Sequence, residues 1–178
     1  MAKLFSVSIM TSEDVQSYVI SGKSNTALIN GAFVVVGDYA EGTVYGEHDK
    51  ALNVHTLTVP TALTDKVAVV DYDGVSQGVI SGNVYKMGVK LYDLTAQANE
   101  VVRVRRLDLG DKFYLGDENF ESEPTAGQYA KLTANKVTLT PAAAAPETGF
   151  AVKIISVEAL TTGTRENGKK IAVEVIAL

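Results

Sequence analysis

The chain has 178 residues, enough for one sizeable domain or two small ones, and its net charge is −5. That acidic balance argues against a general nucleic-acid-binding protein, which would show a basic face. The chain has no cysteine, so disulfides, thiol nucleophiles and cysteine-based zinc sites are excluded. We find no signal peptide and no apolar run long enough to cross a membrane, and we expect a protein that starts soluble inside the cell that makes it.

The N-terminal region, residues 1–27, is predicted to hold an arm followed by one short helix. Thr11 to Asp14 resemble a capping arrangement, and Val15, Tyr18 and Val19 follow at helical spacing. Gly22 is expected to end this helix.

Ahead of the capping signal lie five apolar residues that need a surface to cover: Leu4, Phe5, Val7, Ile9 and Met10. One interpretation is an attachment arm that adds a strand to the exposed sheet edge of another protein. The alternative is that these residues form the first strand of the protein's own sheet. The sequence leaves both open.

From Ala32 onward the chain consists of short runs rich in Val, Thr, Tyr, Ile and Phe, separated by Gly, Asn, Asp and Pro, which is typical of strands and turns. Strict alternation predicts half-buried strands at Val54–Val59, Val101–Arg106 and Lys136–Thr140. Near the C-terminus, two apolar segments flank Asn167-Gly168, which predicts a hairpin turn there. The predicted fold class is mostly β, built of small barrel or sandwich units.

Two similar octapeptides stand far apart in the chain: Gly31–Asp38, GAFVVVGD, and Gly110–Asp117, GDKFYLGD. The runs that follow them also match in order, which predicts two related β-units in tandem, over residues 28–84 and 85–178, that either pack as one domain or lie side by side. The alternative is chance similarity between short segments rich in Gly and Thr.

We find no residue pattern that predicts catalysis or metal binding, and we expect no enzyme activity, no metal and no cofactor. His48 and His55 lack plausible partners. Asp71 to Gly74 begin like a calcium loop, but the later ligands are missing. The acidic run at residues 117–123 is interpreted as a solvated loop, with a calcium or partner site as the alternative.

Arg103, Arg105 and Arg106 form the one basic concentration. On a strand Arg103 and Arg105 share one face, while Val102 and Val104 take the other. This strand is a candidate interface for an acidic partner, and the alternative is that the arginines pair with the protein's own acidic residues. Residues 140–149, with two prolines and four consecutive alanines, are expected to be an exposed connection, with a contact loop as the alternative.

Three stretches of the second half carry a family resemblance: Arg106–Phe120, Gly127–Ala130 and Gly149–Lys153. In them an apolar strand follows Gly-Asp, then come a G-x-Y strand and a late G-apolar-x-V strand. The sequence resembles the head decoration, or capsid cement, proteins of tailed bacteriophages over roughly residues 85–178.

The resemblance implies a small β-rich structural protein, often a trimer, on the exterior of the virion head. There it binds the major capsid protein, after synthesis in the host bacterial cytoplasm, and it contacts neither nucleic acid nor membrane. The residues assigned to capsid contact are Leu4, Phe5, Val7, Ile9, Arg103 and Arg105. The alternative is a carbohydrate- or receptor-binding β module of a phage fibre or tail.

Overall fold

The structure is a computed structural model that describes residues 3–11, 18–40, 54–72, 76–80, 83–87, 94–162 and 165–178. The predicted mostly-β class is confirmed, because strands dominate these ranges. A short 3-10 helix spans Asp117–Asn119. The strands are β1 (Phe5–Ile9), β2 (Val19–Lys23), β3 (Leu28–Ile29), β4 (Phe33–Tyr39), β5 (Val54–Thr58), β6 (Val67–Asp71), β7 (Ser76–Ile80), β8 (Asn83–Met87), β9 (Thr95–Ala96), β10 (Val101–Arg106), β11 (Lys112–Gly116), β12 (Tyr129–Leu132), β13 (Leu139–Ala142), β14 (Ala151–Thr162) and β15 (Arg165–Ala177).

The largest sheet has six antiparallel strands in the order β1-β11-β15-β14-β12-β13. Its strands alternate between buried and half-exposed residues, as in β11, where Phe113 and Leu115 are buried and Lys112 and Tyr114 are not. This period of two gives the sheet one face packed in a core and one face open to solvent.

A second group of strands closes on itself by hydrogen bonding in the order β10-β2-β5-β4-β6, with β2 and β5 parallel and the other pairs antiparallel. Val34, Leu57, Val70 and Val104 are buried together inside this five-stranded barrel. In β10 the prediction is confirmed, because Val102 and Val104 are buried and the arginines lie on the opposite face.

Strands β4 and β6 connect the barrel to the six-stranded sheet. Val34 and Val70 face the barrel interior, whereas Phe33 and Val69 pack into the core that covers the inner face of the sheet. The rings of Phe33 and Phe150 lie 5.1 Å apart across this contact. All of β6 is buried for this reason, which explains why it reads as a continuous apolar run rather than an alternating one.

The helix prediction is wrong for its second half. Val19–Lys23 form β2, which pairs with β10 and β5, so Gly22 lies inside a strand and ends no helix. The barrel supplies long-range partners for these backbone groups, and tertiary pairing overrides the local helical spacing. Thr11 is described, but residues 12–17 lie outside the described residues.

The segment before Thr11 forms β1, an edge strand of the protein's own sheet, paired with β11 from Phe5↔Leu115 to Ile9↔Lys112. In the structure, therefore, the N-terminal apolar residues form the first strand of the protein's own sheet. The register shifts between Val7 and Ile9, which marks a bulge, a feature that natural sheets often place on edge strands.

The pairing of the two predicted β-units does not repeat. In the first, β4 pairs with both β5 and β6. In the second, β11 pairs with β1 and β15, and with neither β13 nor β14. The boundaries 1–27, 28–84 and 85–178 stay a prediction, but β1 and β10 each pair with strands on the far side of one of them.

The C-terminal hairpin is present, but its turn is displaced from the predicted place. Thr162 pairs with Arg165, which leaves only 163 and 164 between β14 and β15, and Asn167-Gly168 lies inside β15. The predicted strand at Lys136–Thr140 is also shifted. Lys136 donates to Thr133 in a turn, and the strand starts only at Leu139.

The connection predicted at residues 140–149 is confirmed only after Ala142. Pro141 belongs to β13, at the edge of the sheet, where a proline costs no ladder bond on its open side. Residues 143–149 follow as a largely exposed loop.

Candidate functional site

We call the solvent side of the six-stranded sheet the outer face; it consists of the residues that alternate with the buried ones. A cross-strand row runs over it from Lys112 to Glu174, Lys153 and Tyr129. The Lys112 and Glu174 side chains are 3.9 Å apart, both partly exposed. Such a pair contributes little to stability, so the row is a solvated surface on which these charges remain accessible.

Tyr114 stands beside this row and supplies an aromatic side chain to the outer face. The Lys170 ammonium lies 3.7 Å from the centre of its ring, in a cation–π contact. Because Tyr114 and Tyr129 are only half-buried, the outer face offers aromatic surface as well as charge.

The structure separates the four N-terminal residues that were assigned to capsid contact. Leu4 and Phe5 are 8% and 5% exposed, and Val7 packs partly buried against the same core. The rings of Phe5 and Phe113 are 5.6 Å apart, so these residues hold β1 in the sheet. Ile9 is 67% exposed and remains accessible to a partner.

The arginines of β10 are engaged with the protein's own acid. The Nε atoms of Arg103 and Arg105 donate to Oδ2 of Asp71 at 2.8 and 2.6 Å. The Arg105 and Asp71 side chains are only 13% and 12% exposed, whereas Arg103 is 40% exposed. The alternative of self-pairing is therefore what the structure describes, and Arg103 is the more accessible of the two.

Asp111 anchors the end of β1, a role that the sequence did not reveal. Its carboxylate is buried and accepts bonds from the backbone N–H of Thr11 at 2.8 Å, from the Thr11 hydroxyl at 3.0 Å, and from the N–H of Asp108 at 2.9 Å. Because a buried carboxylate is costly without such donors, this site fixes Thr11 against the turn that precedes β11.

Two buried asparagines connect the barrel to the sheet, and sequence reasoning missed these as well. Asn119 accepts from the N–H of Gly116 at 3.0 Å and donates to the backbone oxygen of Asn30 at 2.9 Å. The side chain of Asn30 in turn accepts from the N–H of Tyr72. The only signals were an Asn before Gly31 and an Asn after an acidic pair, which are equally typical of ordinary turns.

The acidic run at residues 117–123 pairs with the protein's own groups. Glu121 accepts from the Thr138 hydroxyl and from Lys136, and Glu123 pairs with Lys169. The Thr138 hydroxyl, and after it Lys136, hold the pKa of Glu121 below its ordinary value. These carboxylates thus brace the loop against β15 and the turn before β13.

Among the described residues, no group of three or more His, Cys, Asp or Glu side chains is placed to hold a metal ion. His48 and Asp73 lie outside them. His55 is described: its ring is 4.4 Å from that of Tyr39, and Nδ1 contacts the backbone oxygen of Gly37. No helix in the described ranges is long and apolar enough to cross a membrane.

Comparison with protein-family models, with curated proteins and with solved structures finds no match to this chain.

Proposed function

We propose that this protein is a structural virion protein that binds the outside of an icosahedral phage head and stabilises the lattice of the major capsid protein. The resemblance of residues 106–120, 127–130 and 149–153 to head decoration proteins motivates the proposal. It acts by binding alone, without catalysis, metal or cofactor, and as a homo-oligomer, with a trimer as the favoured state.

The observation that carries the proposal is the outer face beside the open edge of β1. The whole chain has a net charge of −5, but among the outer-face side chains that the structure describes, lysines outnumber glutamates. The lysines are Lys112, Lys131, Lys153 and Lys170, and the glutamates are Glu158 and Glu174. Local charge opposite in sign to the whole molecule orients a protein on an acidic partner and speeds its encounter.

The solvent face of a six-stranded sheet suits a protein that binds a repeated lattice. Each copy needs only modest affinity, because self-association presents several identical faces to neighbouring shell subunits and the contacts reinforce one another. Ile9, at the edge of this face through its pairing with Lys112, adds an exposed apolar contact.

The test is binding to purified, expanded heads of the phage that encodes the chain, measured by co-sedimentation. We expect the double variant Lys131→Gln/Lys153→Gln to bind much more weakly than the unsubstituted protein. The matched control, Asn25→Asp/Ala27→Glu, changes the net charge equally at exposed positions of the barrel side and should bind normally. If the unsubstituted protein does not bind heads, the proposed function is wrong. If both double variants bind normally, the outer face is not the contact.

A further inference from the structure

One end of the barrel brings together side chains that the proposed function does not use. The pairing directions place the last residues of β4 and β10 and the first residues of β2, β5 and β6 at the same end. A cleft of about 580 Å³ opens there, between the barrel and the segment that leads into β14. Pockets that hold small ligands are of this order of size, about 300–1,000 Å³, and barrel mouths are among their usual places.

The floor of the cleft is apolar. Val67, Leu107 and Phe150 are buried and present their edges to it, together with Val36 and Ala68 from the barrel wall. The aliphatic and aromatic surface gives a ligand's hydrocarbon part a place to leave water.

Two cationic side chains, Arg106 and Lys66, lie at the rim of the cleft. Arg106 lies opposite Ala68 in the ladder between β10 and β6, and Lys66 directly precedes β6, so the two flank the same pair of strands. Both line the cleft and both are exposed. Within the described ranges neither makes an ion pair, unlike Arg103 and Arg105 on the same strand.

The acidic side chain of the lining is committed to its own turn. Asp65 accepts the backbone N–H groups of Ala62 at 2.9 Å and Thr61 at 2.8 Å. These bonds, Ala62 first, hold the pKa of its carboxyl below the ordinary value, and both are accepted by Oδ2, which faces the turn. Tyr18 adds a half-exposed phenol to the wall beside Arg106.

We propose that this cleft binds an organic anion with an apolar body: the anionic group contacts Arg106 and Lys66, and the body lies on Val67, Leu107 and Phe150. Tyr39, which is 64% exposed, contacts the His55 ring at the same barrel end, outside the lining of the cleft. The inference is independent of capsid binding, since none of these residues belongs to the outer face.

The experiment uses two fluorescent probes that differ in charge. One is 8-anilinonaphthalene-1-sulfonate, an anion, and the other is N-phenyl-1-naphthylamine, which has the same rings without the sulfonate. Titration of the intact, folded chain should show saturable binding of the sulfonate at one site per chain and clearly weaker binding of the neutral probe. Near-UV circular dichroism confirms the native packing, because the sulfonate also binds partly folded states.

Arg106→Gln and Lys66→Gln should each weaken sulfonate binding by about tenfold, the effect of losing one charge-assisted contact, and leave the neutral probe unchanged. Lys131→Gln, an exposed lysine on the outer face, is the control and should change neither titration. Equal affinity for the two probes in the unsubstituted chain overturns the proposal. So does sulfonate binding that survives both rim substitutions.

Discussion

Asp71 is the residue on which the two arginines of β10 depend. Its carboxylate accepts from both Nε groups at the end of β6 and is largely buried, so its removal would leave the largely buried Arg105 and the more exposed Arg103 without this partner. We expect Asp71→Asn to lower the free energy of unfolding by about 3 kcal/mol, as for other broken buried pairs. Urea denaturation measures this. Asp38→Asn, an exposed aspartate on β4, is the control, and an equal loss there would contradict the argument.

Gly31 and Gly110, which open the two similar octapeptides, share a backbone requirement. Both have positive φ, +82° and +86°, where any other residue is strained. At Gly31 an added Cβ would also lie 2.8 Å from Nδ2 of Asn119 and 3.0 Å from the backbone oxygen of Leu4, whereas at Gly110 it would meet nothing within 4 Å.

Gly110→Ala should therefore cost about 1 to 2 kcal/mol of stability, from backbone strain alone. Gly31→Ala should cost clearly more, because it also disturbs the Asn119 contacts between barrel and sheet. Thermal unfolding of the two variants makes the comparison. If the two variants lose the same stability, the contacts of Asn119 adjust to the added methyl group without a loss of stability. The octapeptides resemble each other because each starts a strand after a left-handed glycine, and the strand pairing behind them differs.

The carboxyl group of Glu121 makes the free energy of unfolding depend on pH in a defined direction. Its pKa is lower in the folded state than in the unfolded chain because the Thr138 hydroxyl and Lys136 favour the carboxylate. Its contribution to stability is therefore fully present above the ordinary glutamate pKa and is lost as the pH falls through the folded value. NMR titration of the carboxyl carbon should show the Glu121 pKa rising in Thr138→Val. It should not move in Thr125→Val, which changes an exposed threonine. An unmoved pKa in Thr138→Val would refute the assigned cause.

At the scale of elements, β1 is an integral strand. Phe5 and Met10 are buried and Asp111 holds Thr11, so removal of residues 1–11 would uncover Phe113 and leave the Asp111 carboxylate without two of its donors. We expect this deletion to abolish cooperative unfolding by circular dichroism. Ile9→Glu, on the exposed side, should fold normally, as should Val101→Glu on β10. If the deletion variant unfolds cooperatively, the fold does not need β1, and the interpretation of residues 1–11 as an attachment arm is favoured instead.

Alternation predicted β10 correctly, with Val102 and Val104 buried, because burial on one face imposes a period of two. The alternating run at Lys136–Thr140 misplaced β13, which begins only at Leu139. The sequence could not predict β2. Tyr18, Val19 and the capping residues before them satisfy a helix locally, and only the distant partners β5 and β10 decide for a strand. The Asp111 and Asn119 contacts were hidden for the same reason, since each joins residues about 90 to 100 positions apart.

At the scale of the whole molecule, the barrel and the six-stranded sheet share a hydrophobic core, although no described strand belongs to both. β4 and β6 each place one face in the barrel interior and the other in the core beneath the sheet, where Phe33 meets Phe150. Loss of the Phe33 side chain would open a cavity at this junction. Phe33→Ala should lower stability by about 3 to 5 kcal/mol, the usual cost for a buried phenylalanine.

The shared core also predicts that the molecule unfolds as one cooperative unit. If the predicted β-units were independent, residues 28–84 would have to fold alone, yet that segment lacks β2 and β10, which close the barrel. Differential scanning calorimetry should therefore give a single transition whose calorimetric and van't Hoff enthalpies agree. In Phe33→Ala the single transition should move to lower temperature without splitting. Two resolved transitions, or a folded fragment 28–84, would contradict the coupling and support separate units at the predicted boundaries.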